Sequence, residues 1–277
     1  MLTEISFDTG TLTFNYAEGS TNGPPIVLLH GATAHWQELI PLISNLENNW
    51  HVYACDQRGH GNSGRAASYR SIDFFPDMTA FIKYRIGAPT VLIGHSGGAI
   101  VSLGTAAEIP TLIRALILLD PPLFLREKSI RSNNTYNYFL GVYNILTHQR
   151  TAYEVFSEVF PGIDAAGRQQ LEEMISQVDP KFVKVLLEDR YFEELDTQNI
   201  LTKVTCPTLF LYGEIEKGSV VRDEDVVFFL TNIQNGTAIQ IKDAGHLLHV
   251  DQPGSVLELI KQFTESQSLQ FSGAKLL

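Results

Sequence analysis

Apolar positions along the chain fall into two patterns, short unbroken runs and longer stretches with an apolar residue at every third or fourth position. The runs predict strands, and the periodic stretches predict amphipathic helices. The predicted strands are 3–7, 12–16, 26–30, 51–55, 90–94, 114–119, 206–212 and 238–241. The predicted helices between them are 36–47, 71–85, 97–108, 223–233 and 254–265. Because wholly apolar strands that alternate with helices are typical of parallel sheets covered on both faces, the sequence predicts an α/β fold.

The alternation of strands and helices stops between residues 121 and 203. This segment has no clear strand pattern, and its helix-like stretches are 134–147, 152–159, 166–178 and 180–187. We therefore predict one core domain, formed by residues 1–120 and 204–277, with a helical cap or lid inserted at 121–203.

The composition narrows the classes of function. The chain has 277 residues, with 20 Lys and Arg against 31 Asp and Glu, which gives a formal charge of −11. A negative charge without a basic cluster opposes binding to nucleic acid or to an anionic membrane. No apolar run approaches a membrane span, and the first ten residues lack a secretion signal, so we expect a cytoplasmic protein. Cys55 and Cys206 lack a second cysteine at metal-ligand spacing and are expected to be buried thiols.

The stretch VLIGHSGGAI, residues 91–100, places one serine between glycines at a predicted strand-to-helix turn. A Gly-x-Ser-x-Gly pattern alone is weak in a chain with 21 glycines, so the flanking strand and helix carry the prediction. Gly94 and Gly98 let the two backbones approach closely, and Ser96 is expected in a strained conformation with its hydroxyl exposed. The N–H of Gly97, in the first helical turn, is free to bind an oxyanion. Ser96 is therefore a candidate nucleophile.

A nucleophilic serine needs a general base and an oxyanion hole, and both have candidates at the ends of other predicted strands. His246 follows the last predicted strand on a loop and is the candidate base, with His249 as the alternative. Ala32 follows the strand that ends at residue 30, and its N–H is the second candidate oxyanion donor beside Gly97.

Five blocks of the sequence resemble α/β-hydrolase-fold enzymes and occur in the order found in that family. They are His30-Gly31 with Trp36, residues 56–63 (DQRGHGNS), residues 94–98 (GHSGG), Pro207-Thr208 through Gly213-Glu214, and Gly245-His246 with Gln252-Pro253. The resemblance covers nearly the whole chain and implies an eight-stranded, mostly parallel sheet with a helical cap after the sixth strand. It also implies Ser96 as nucleophile and His246 as base, with no need for a metal or an organic cofactor.

The acid that completes a triad with Ser96 and His246 stays open between carboxylates at two strand ends. Similar proteins usually carry an aspartate three residues after the glycine that ends the 206–212 strand, where this chain has Glu216. Some family members take the acid from the end of the sixth strand, where this chain has Asp120. Glu216 is the first choice, and Asp120 is the alternative because a short carboxylate on a rigid strand end also orients an imidazole well. Further candidates are Glu214, Asp223 and Asp225.

Seven residues are predicted to line the substrate pocket around the serine. They are His30, Gly31, His35, Trp36, His95, Phe124 and Tyr138. His30 and His95 flank the oxyanion region and are expected to hydrogen-bond the backbone or to shape the pocket. Neither has a second ligand at metal-binding spacing, so we expect no metal site.

Together these features favour a serine hydrolase that cleaves a small or medium carboxylic ester, thioester or lactone through an acyl-enzyme intermediate. The expected partner is a small-molecule substrate, and the expected state is a monomer or a homodimer. Hydrolysis of a carbon–carbon bond in a vinylogous diketone uses the same residues and is the alternative reaction. A ligand receptor and a protein that resembles hydroxynitrile lyases would also keep the serine and histidine. Dehalogenases and epoxide hydrolases of this fold have an aspartate at the position of Ser96.

Overall fold

In a computed structural model of the chain, which describes residues 2–126, 128–132 and 135–271, eight strands form one sheet. The strands are β1 (Thr3–Asp8), β2 (Thr13–Glu18), β3 (Pro25–Leu29), β4 (His51–Cys55), β5 (Thr90–His95), β6 (Ile113–Leu119), β7 (Thr208–Tyr212) and β8 (Gly236–Gln240). Their order across the sheet is β1-β2-β4-β3-β5-β6-β7-β8. β2 runs antiparallel to both of its neighbours, and the strands from β3 to β8 run parallel. The predicted eight-stranded, mostly parallel sheet is thus confirmed.

Helices cover both faces of this sheet. They are α1 (Ile40–Leu46), α2 (Ser71–Ala80), α3 (Gly97–Glu108), α4 (Thr135–Leu146), α5 (Ala152–Val159), α6 (Ala165–Ser176), α7 (Pro180–Leu187), α8 (Thr197–Lys203), α9 (Asp223–Asn232), α10 (Leu248–Asp251) and α11 (Pro253–Phe271). Alternate residues of β3 point to opposite faces, because side chains alternate along a strand. Val27 and Leu29 join a buried cluster with α2, α3 and α9, and Ile26 and Leu28 join a second cluster with α1 and α11.

Two predicted helical regions differ in detail from the structure, and one helix was not predicted. The predicted helix 36–47 is a 3₁₀ turn at Trp36–Leu39 followed by α1, whose first turn contains Pro41, a residue suited to that position. The predicted helix 71–85 is α2 followed by a π-helical segment, Phe81–Ile86. α8 was not predicted, although Asp196 caps it by accepting a hydrogen bond from Asn199 N at 3.0 Å.

The segment 121–203, called the insertion below, contributes α4 to α8 between β6 and β7 in the described part of the chain. Buried polar contacts anchor it to the core. The Tyr69 hydroxyl donates to Asp179 Oδ2 at 2.6 Å, and Asp179 N donates to Gly59 O at 2.7 Å. Ser71 N donates to Tyr191 O, also at 2.7 Å. The division into a core and a separate cap at these boundaries stays a prediction, and residues 272–277 of the predicted core lie outside the described residues.

The remaining predictions from composition concern the cysteines and membranes. Cys55 and Cys206 are buried, free thiols, as expected. Burial raises the pKa of both thiols, which keeps them protonated. Within the described ranges, no helix has both the length and the apolar character needed to cross a membrane.

Candidate active site

Ser96 lies on the sharp turn between β5 and α3. Its backbone angles, φ 51° and ψ −119°, lie in a region that residues other than glycine rarely adopt. Ser96 N donates to Leu119 O at 2.8 Å, which ties the turn to the end of the neighbouring strand β6. The turn is therefore held by its packed surroundings, and it presents the serine side chain at the carboxyl edge of the sheet.

The close approach of α3 to β3 depends on Gly98. A Cβ atom at this position would lie 2.5 Å from His30 O and 2.6 Å from Leu29 O, both backbone atoms at the end of β3. Backbone cannot yield as a flexible side chain can, so only glycine fits without moving the helix. The glycine therefore sets where the first turn of α3, and with it Ser96, lies above the sheet.

Replacement of Gly98 tests whether the close approach of α3 to β3 depends on a glycine at this position. We expect Gly98→Ala to lower the free energy of unfolding by about 3 kcal/mol, because the methyl group overpacks against fixed backbone. Gly254→Ala is the matched control, since a Cβ at Gly254 meets nothing within 4 Å and the residue lies in α11. Urea denaturation of both variants measures the difference, and equal stability of the two would contradict the account.

A continuous chain of hydrogen bonds runs from the serine through His246 to Asp120. His246 Nε2 lies 3.0 Å from Ser96 Oγ, and His246 Nδ1 lies 2.7 Å from Asp120 Oδ2. Because a carboxylate only accepts, Nδ1 carries the hydrogen, and Nε2 is left to accept from the serine hydroxyl. In this state the imidazole can take the serine proton.

Asp120, rather than Glu216, is the carboxylate that contacts His246. Asp120 is fully buried at the end of β6, where its Oδ1 accepts from Gly213 N at 3.0 Å and from the Ser219 hydroxyl at 2.6 Å. Its Oδ2 accepts from Val220 N at 2.9 Å in addition to His246. These bonds fix the carboxylate plane relative to the imidazole.

The first choice of Glu216 as the acid is therefore corrected. Glu216 is exposed on a 3₁₀ turn, Ile215–Lys217, and the structure brings the same loop to Asp120 through Ser219 and Val220. Among the other carboxylates considered, Glu214 lies near Lys217, and Asp223 and Asp225 begin α9. The loop after β7 thus supplies hydrogen-bond donors to Asp120, and not a carboxylate to His246.

The two predicted oxyanion donors lie beside the serine. Gly97 is the first residue of α3, so its N–H has no carbonyl one turn back to bind. A Cβ at Gly97 would lie 3.8 Å from Ala32 N, so Ala32 N lies close to the start of α3. An oxyanion placed over Ser96 can therefore receive hydrogen bonds from both.

The hydrogen bonds of two buried histidines fix the segment 30–33, called the oxyanion loop below. His30 is the first residue of this loop, and His60 lies outside it. His30 Nδ1 donates to Gly31 O at 2.7 Å, and His30 Nε2 accepts from Gln57 N at 3.0 Å. His60 Nε2 accepts from Thr33 N at 3.3 Å. Burial lowers the pKa of both imidazoles, which keeps them neutral and able to accept. His30 thus forms hydrogen bonds with the backbone, which is one of the two roles expected for it.

The insertion reaches the site through two tyrosines. The Tyr138 hydroxyl lies 2.8 Å from Thr33 Oγ1 on the oxyanion loop. The Tyr191 hydroxyl, which the sequence analysis did not single out, lies 3.5 Å from Gly97 O. Burial raises the pKa of both phenols, so both are neutral hydroxyl groups. The insertion therefore places neutral aromatic side chains next to the serine.

The other predicted pocket residues lie at different distances from this edge. Gly31 packs closely on the strand end before Ser96, since a Cβ there would be 2.8 Å from His95 Nδ1. His35 is buried and directly precedes the Trp36–Leu39 turn. Trp36 packs against the cluster with α1 and α11, on the face of the sheet opposite the insertion. Phe124 is buried in the insertion beneath the Arg222 guanidinium, 5.4 Å from the ring centroid.

A cavity of about 220 Å³ lies within the insertion on the far side of Tyr191. Its walls are Leu125, Lys128, Ser129, Ile130, Leu186, Asp189, Tyr191 and Phe192. The two charged side chains in these walls are hydrogen-bonded. Lys128 donates to Glu224 at 2.6 Å, and Asp189 accepts from the Ser129 hydroxyl at 2.6 Å. The Tyr191 ring thus separates this cavity from the backbone of Gly97.

Three titratable groups that are far apart in sequence meet behind the serine. Ligand atoms of Glu38, His95 and His249 lie within 4.8 Å of one another. The position of His95 in the sequence did not predict that it would meet Glu38 and His249. These residue types can bind a metal ion, but Glu38 Oε2 and His95 Nδ1 already bond each other at 3.2 Å. The cluster is thus organised by a hydrogen bond between a carboxylate and an imidazole.

Comparison with known proteins agrees with this fold. The model of the Alpha/beta hydrolase family matches residues 26–259. A Haemophilus influenzae protein with the provisional name esterase/lipase is 23% identical over 252 residues, which cover 90% of this chain and 86% of that protein.

Two solved structures are also similar. One is an E-2-(acetamidomethylene)succinate hydrolase, with a TM-score of 0.76 and 20% identity over 96% of this chain and 100% of that chain. The other is an N-acyl homoserine lactonase, with a TM-score of 0.75 and 18% identity over 96% of this chain and 97% of that chain. With most of its length matched by the family model, this chain belongs to the alpha/beta hydrolase family.

Proposed function

We propose that the protein is a serine hydrolase that cleaves a small, neutral carboxylic ester or lactone through an acyl-enzyme intermediate. The observation that carries the proposal is the unbroken hydrogen-bond chain from Ser96 Oγ through His246 to Asp120. The chain provides a nucleophile, a base and an orienting acid in one line. A serine at this position separates the protein from family members that use an aspartate nucleophile.

The first half of the reaction forms the acyl-enzyme. Ser96 Oγ attacks the acyl carbon while His246 Nε2 takes the hydroxyl proton, and the N–H groups of Ala32 and Gly97 stabilise the oxyanion. Asp120 stabilises the imidazolium that forms. When the tetrahedral intermediate collapses, the bond to the leaving oxygen breaks and that oxygen takes the proton from His246.

The second half releases the acid. His246 takes a proton from water, and the hydroxyl oxygen attacks the acyl carbon of the ester on Ser96. Collapse of this second intermediate breaks the bond to Ser96 Oγ, which recovers its proton from His246. Water is thus consumed, and no other reactant is needed.

The side chains near the serine support a neutral substrate. The insertion contributes the hydroxyl groups of Tyr138 and Tyr191 to this region, and Thr33 adds a third. The nearest carboxylates, Asp120 and Glu38, are both hydrogen-bonded to histidines. A neutral acyl group needs no charged partner, whereas a buried anion would need one. The lactonase with a similar fold supports the same class of reaction.

A panel of p-nitrophenyl esters from acetate to dodecanoate tests the proposal. We expect saturable release of p-nitrophenol, with kcat/KM highest for the short acyl chains. The Tyr138 hydroxyl lies 2.8 Å from Thr33 Oγ1 and the Tyr191 hydroxyl 3.5 Å from Gly97 O, so both rings occupy space beside the proposed oxyanion donors and favour a short acyl chain. A preference for dodecanoate would contradict the size argument.

Two further substrates in the same panel separate the alternatives. Turnover of a vinylogous diketone without ester turnover would favour carbon–carbon hydrolysis. Turnover of an (acetamidomethylene)succinate would indicate the reaction named for the similar solved structure. Absence of all turnover, together with a rise in Tm on ligand binding, would favour a receptor.

A further inference from the structure

Glu38 connects the oxyanion loop to the residue before the nucleophile. Its Oε2 atom accepts a hydrogen bond from Gly31 N at 2.8 Å and lies 3.2 Å from His95 Nδ1. Gly31 directly precedes Ala32, the proposed oxyanion donor, and His95 directly precedes Ser96. One carboxylate oxygen therefore joins the two segments that supply the nucleophile and the oxyanion hole.

His95 extends this connection to the loop of the general base. Its Nε2 atom lies 3.0 Å from the backbone oxygen of His246. A backbone carbonyl can only accept a hydrogen bond, and so can an ionised carboxylate. Both ring nitrogens of His95 must therefore donate, which requires the imidazolium form and makes the Glu38–His95 contact an ion pair.

The surroundings of His95 are suited to one positive charge. The side chain is 2% exposed, and that of Glu38 is 9% exposed. Burial acts to lower the pKa of His95, but the charge and hydrogen bond of Glu38 outweigh it, and the pKa is raised above its ordinary value. Burial acts to raise the pKa of Glu38, and the charge of His95 brings it well below the usual range.

The other titratable groups that face His95 are consistent with this charge. The His249 ring lies 4.7 Å away on α10, and burial, followed by the charge of His95, lowers the pKa of His249 to about 3. His249 is therefore neutral at pH 7. The His246 ring lies 4.8 Å away, and Asp120 is the second carboxylate near the pair.

We propose that Glu38 and His95 form a charged bridge that positions the oxyanion loop and the His246 loop around Ser96. This inference rests on the proposed function, because it assigns positioning residues to that reaction. The bridge also balances charge during catalysis. When His246 takes the serine proton, two imidazolium rings lie about 5 Å apart, and the two carboxylates, Glu38 and Asp120, compensate them.

The protonation of His95 tests the bridge without a substrate. We expect nitrogen NMR of the ¹⁵N-histidine-labelled protein at pH 7 to show both His95 nitrogens protonated, with assignment by loss of the signals in His95→Asn. In Glu38→Gln the ring should become neutral, because burial then acts on its pKa without the carboxylate. Glu38→Asp keeps the charge and should retain the protonated signal. A neutral His95 ring in the parent would overturn the proposal, even if Ser96 proves to be the nucleophile.

The pH dependence of turnover tests the positioning role. A raised pKa means that the bridge is complete below about pH 6.5 and is lost only as pH rises through the higher folded value. In Glu38→Gln the bridge is lost at lower pH, because the carboxylate that raises the pKa of His95 is absent. We therefore expect the ratio of parent to variant kcat to rise with pH to a maximum of about 10-fold to 100-fold while the parent ring is still protonated, with little change in KM.

The control for this experiment is another glutamate–histidine pair. Glu18 Oε1 lies 2.9 Å from His51 Nε2 at the start of β4, and Glu18→Gln removes the same charge away from the site. The kcat of Glu18→Gln should equal that of the parent at every pH. A Glu38→Gln ratio that does not change with pH would indicate a purely structural effect and would overturn the positioning role.

Discussion

Asp120→Asn is expected to lower kcat by about 10⁴-fold while the protein remains folded. The contacts of Asp120 explain the size of the effect. Gly213 N and the Ser219 hydroxyl both donate to Oδ1, whereas Val220 N alone donates to Oδ2 besides His246, so the orientation that keeps more bonds places the asparagine oxygen at Oδ1 and its NH₂ group at Oδ2. An NH₂ group there donates to His246 Nδ1, so the ring hydrogen must lie on Nε2. A protonated Nε2 cannot accept the serine proton.

The matched control for this substitution is Glu216→Gln. Glu216 is exposed, and the same change of charge there should leave kcat within about twofold of the parent, as for most surface substitutions. Steady-state ester hydrolysis by the two variants measures the contrast. A large loss in Glu216→Gln with a small loss in Asp120→Asn would restore Glu216 as the acid and contradict the site described above.

Ser96→Ala is expected to lower kcat by about 10⁶-fold, since removal of the nucleophile leaves only the residual effect of binding and the oxyanion donors. The circular dichroism spectrum and the midpoint of urea unfolding should be close to those of the parent, because alanine neither removes nor adds a packing contact. Burst and steady-state measurements with p-nitrophenyl acetate determine the loss.

Ser102→Ala is the control for the serine, because Ser102 lies in the same helix and donates to Gly98 O at 2.8 Å. Such a bond within a helix contributes little, so kcat should change by less than about threefold. Equal loss of activity in the two variants would indicate damage to α3 and would count against Ser96 as the nucleophile.

Much of the fold could be predicted because its determinants are local. A strand such as β3, apolar on both faces, has few places to lie except in the middle of a covered sheet. The turn at Ser96 was also predictable, since the glycines around it and the flanking apolar runs occur in one short stretch. His246 and Ala32 followed, because the carboxyl ends of parallel strands meet at one edge.

The acid could not be decided in the same way. Asp120 and Glu216 both follow strands that end at this edge, and the sequence does not contain the path of the loop after β7. That path brings Ser219 and Val220 onto Asp120 and leaves Glu216 exposed. The choice depends on three hydrogen-bond donors that are remote from Asp120 in sequence.

The Glu38–His95–His249 cluster was not predictable for a related reason. Its members are widely separated along the chain, and Glu38 lies in a 3₁₀ turn within a region predicted as continuous helix. Trp36, in the same turn, packs against the cluster with α1 and α11, and its place in the substrate pocket stays a prediction. The difference between the predicted helix and the observed 3₁₀ turn thus obscured the position of Glu38.

The central claim is that Ser96 is an activated nucleophile, and covalent labelling with a fluorophosphonate tests it most directly. Intact-protein mass spectrometry of the parent should show one phosphonyl adduct, and peptide mapping should assign it to Ser96. The adduct should be absent from Ser96→Ala and should form more slowly in Asp120→Asn. An unlabelled but folded parent, or an adduct on another residue, would contradict the claim.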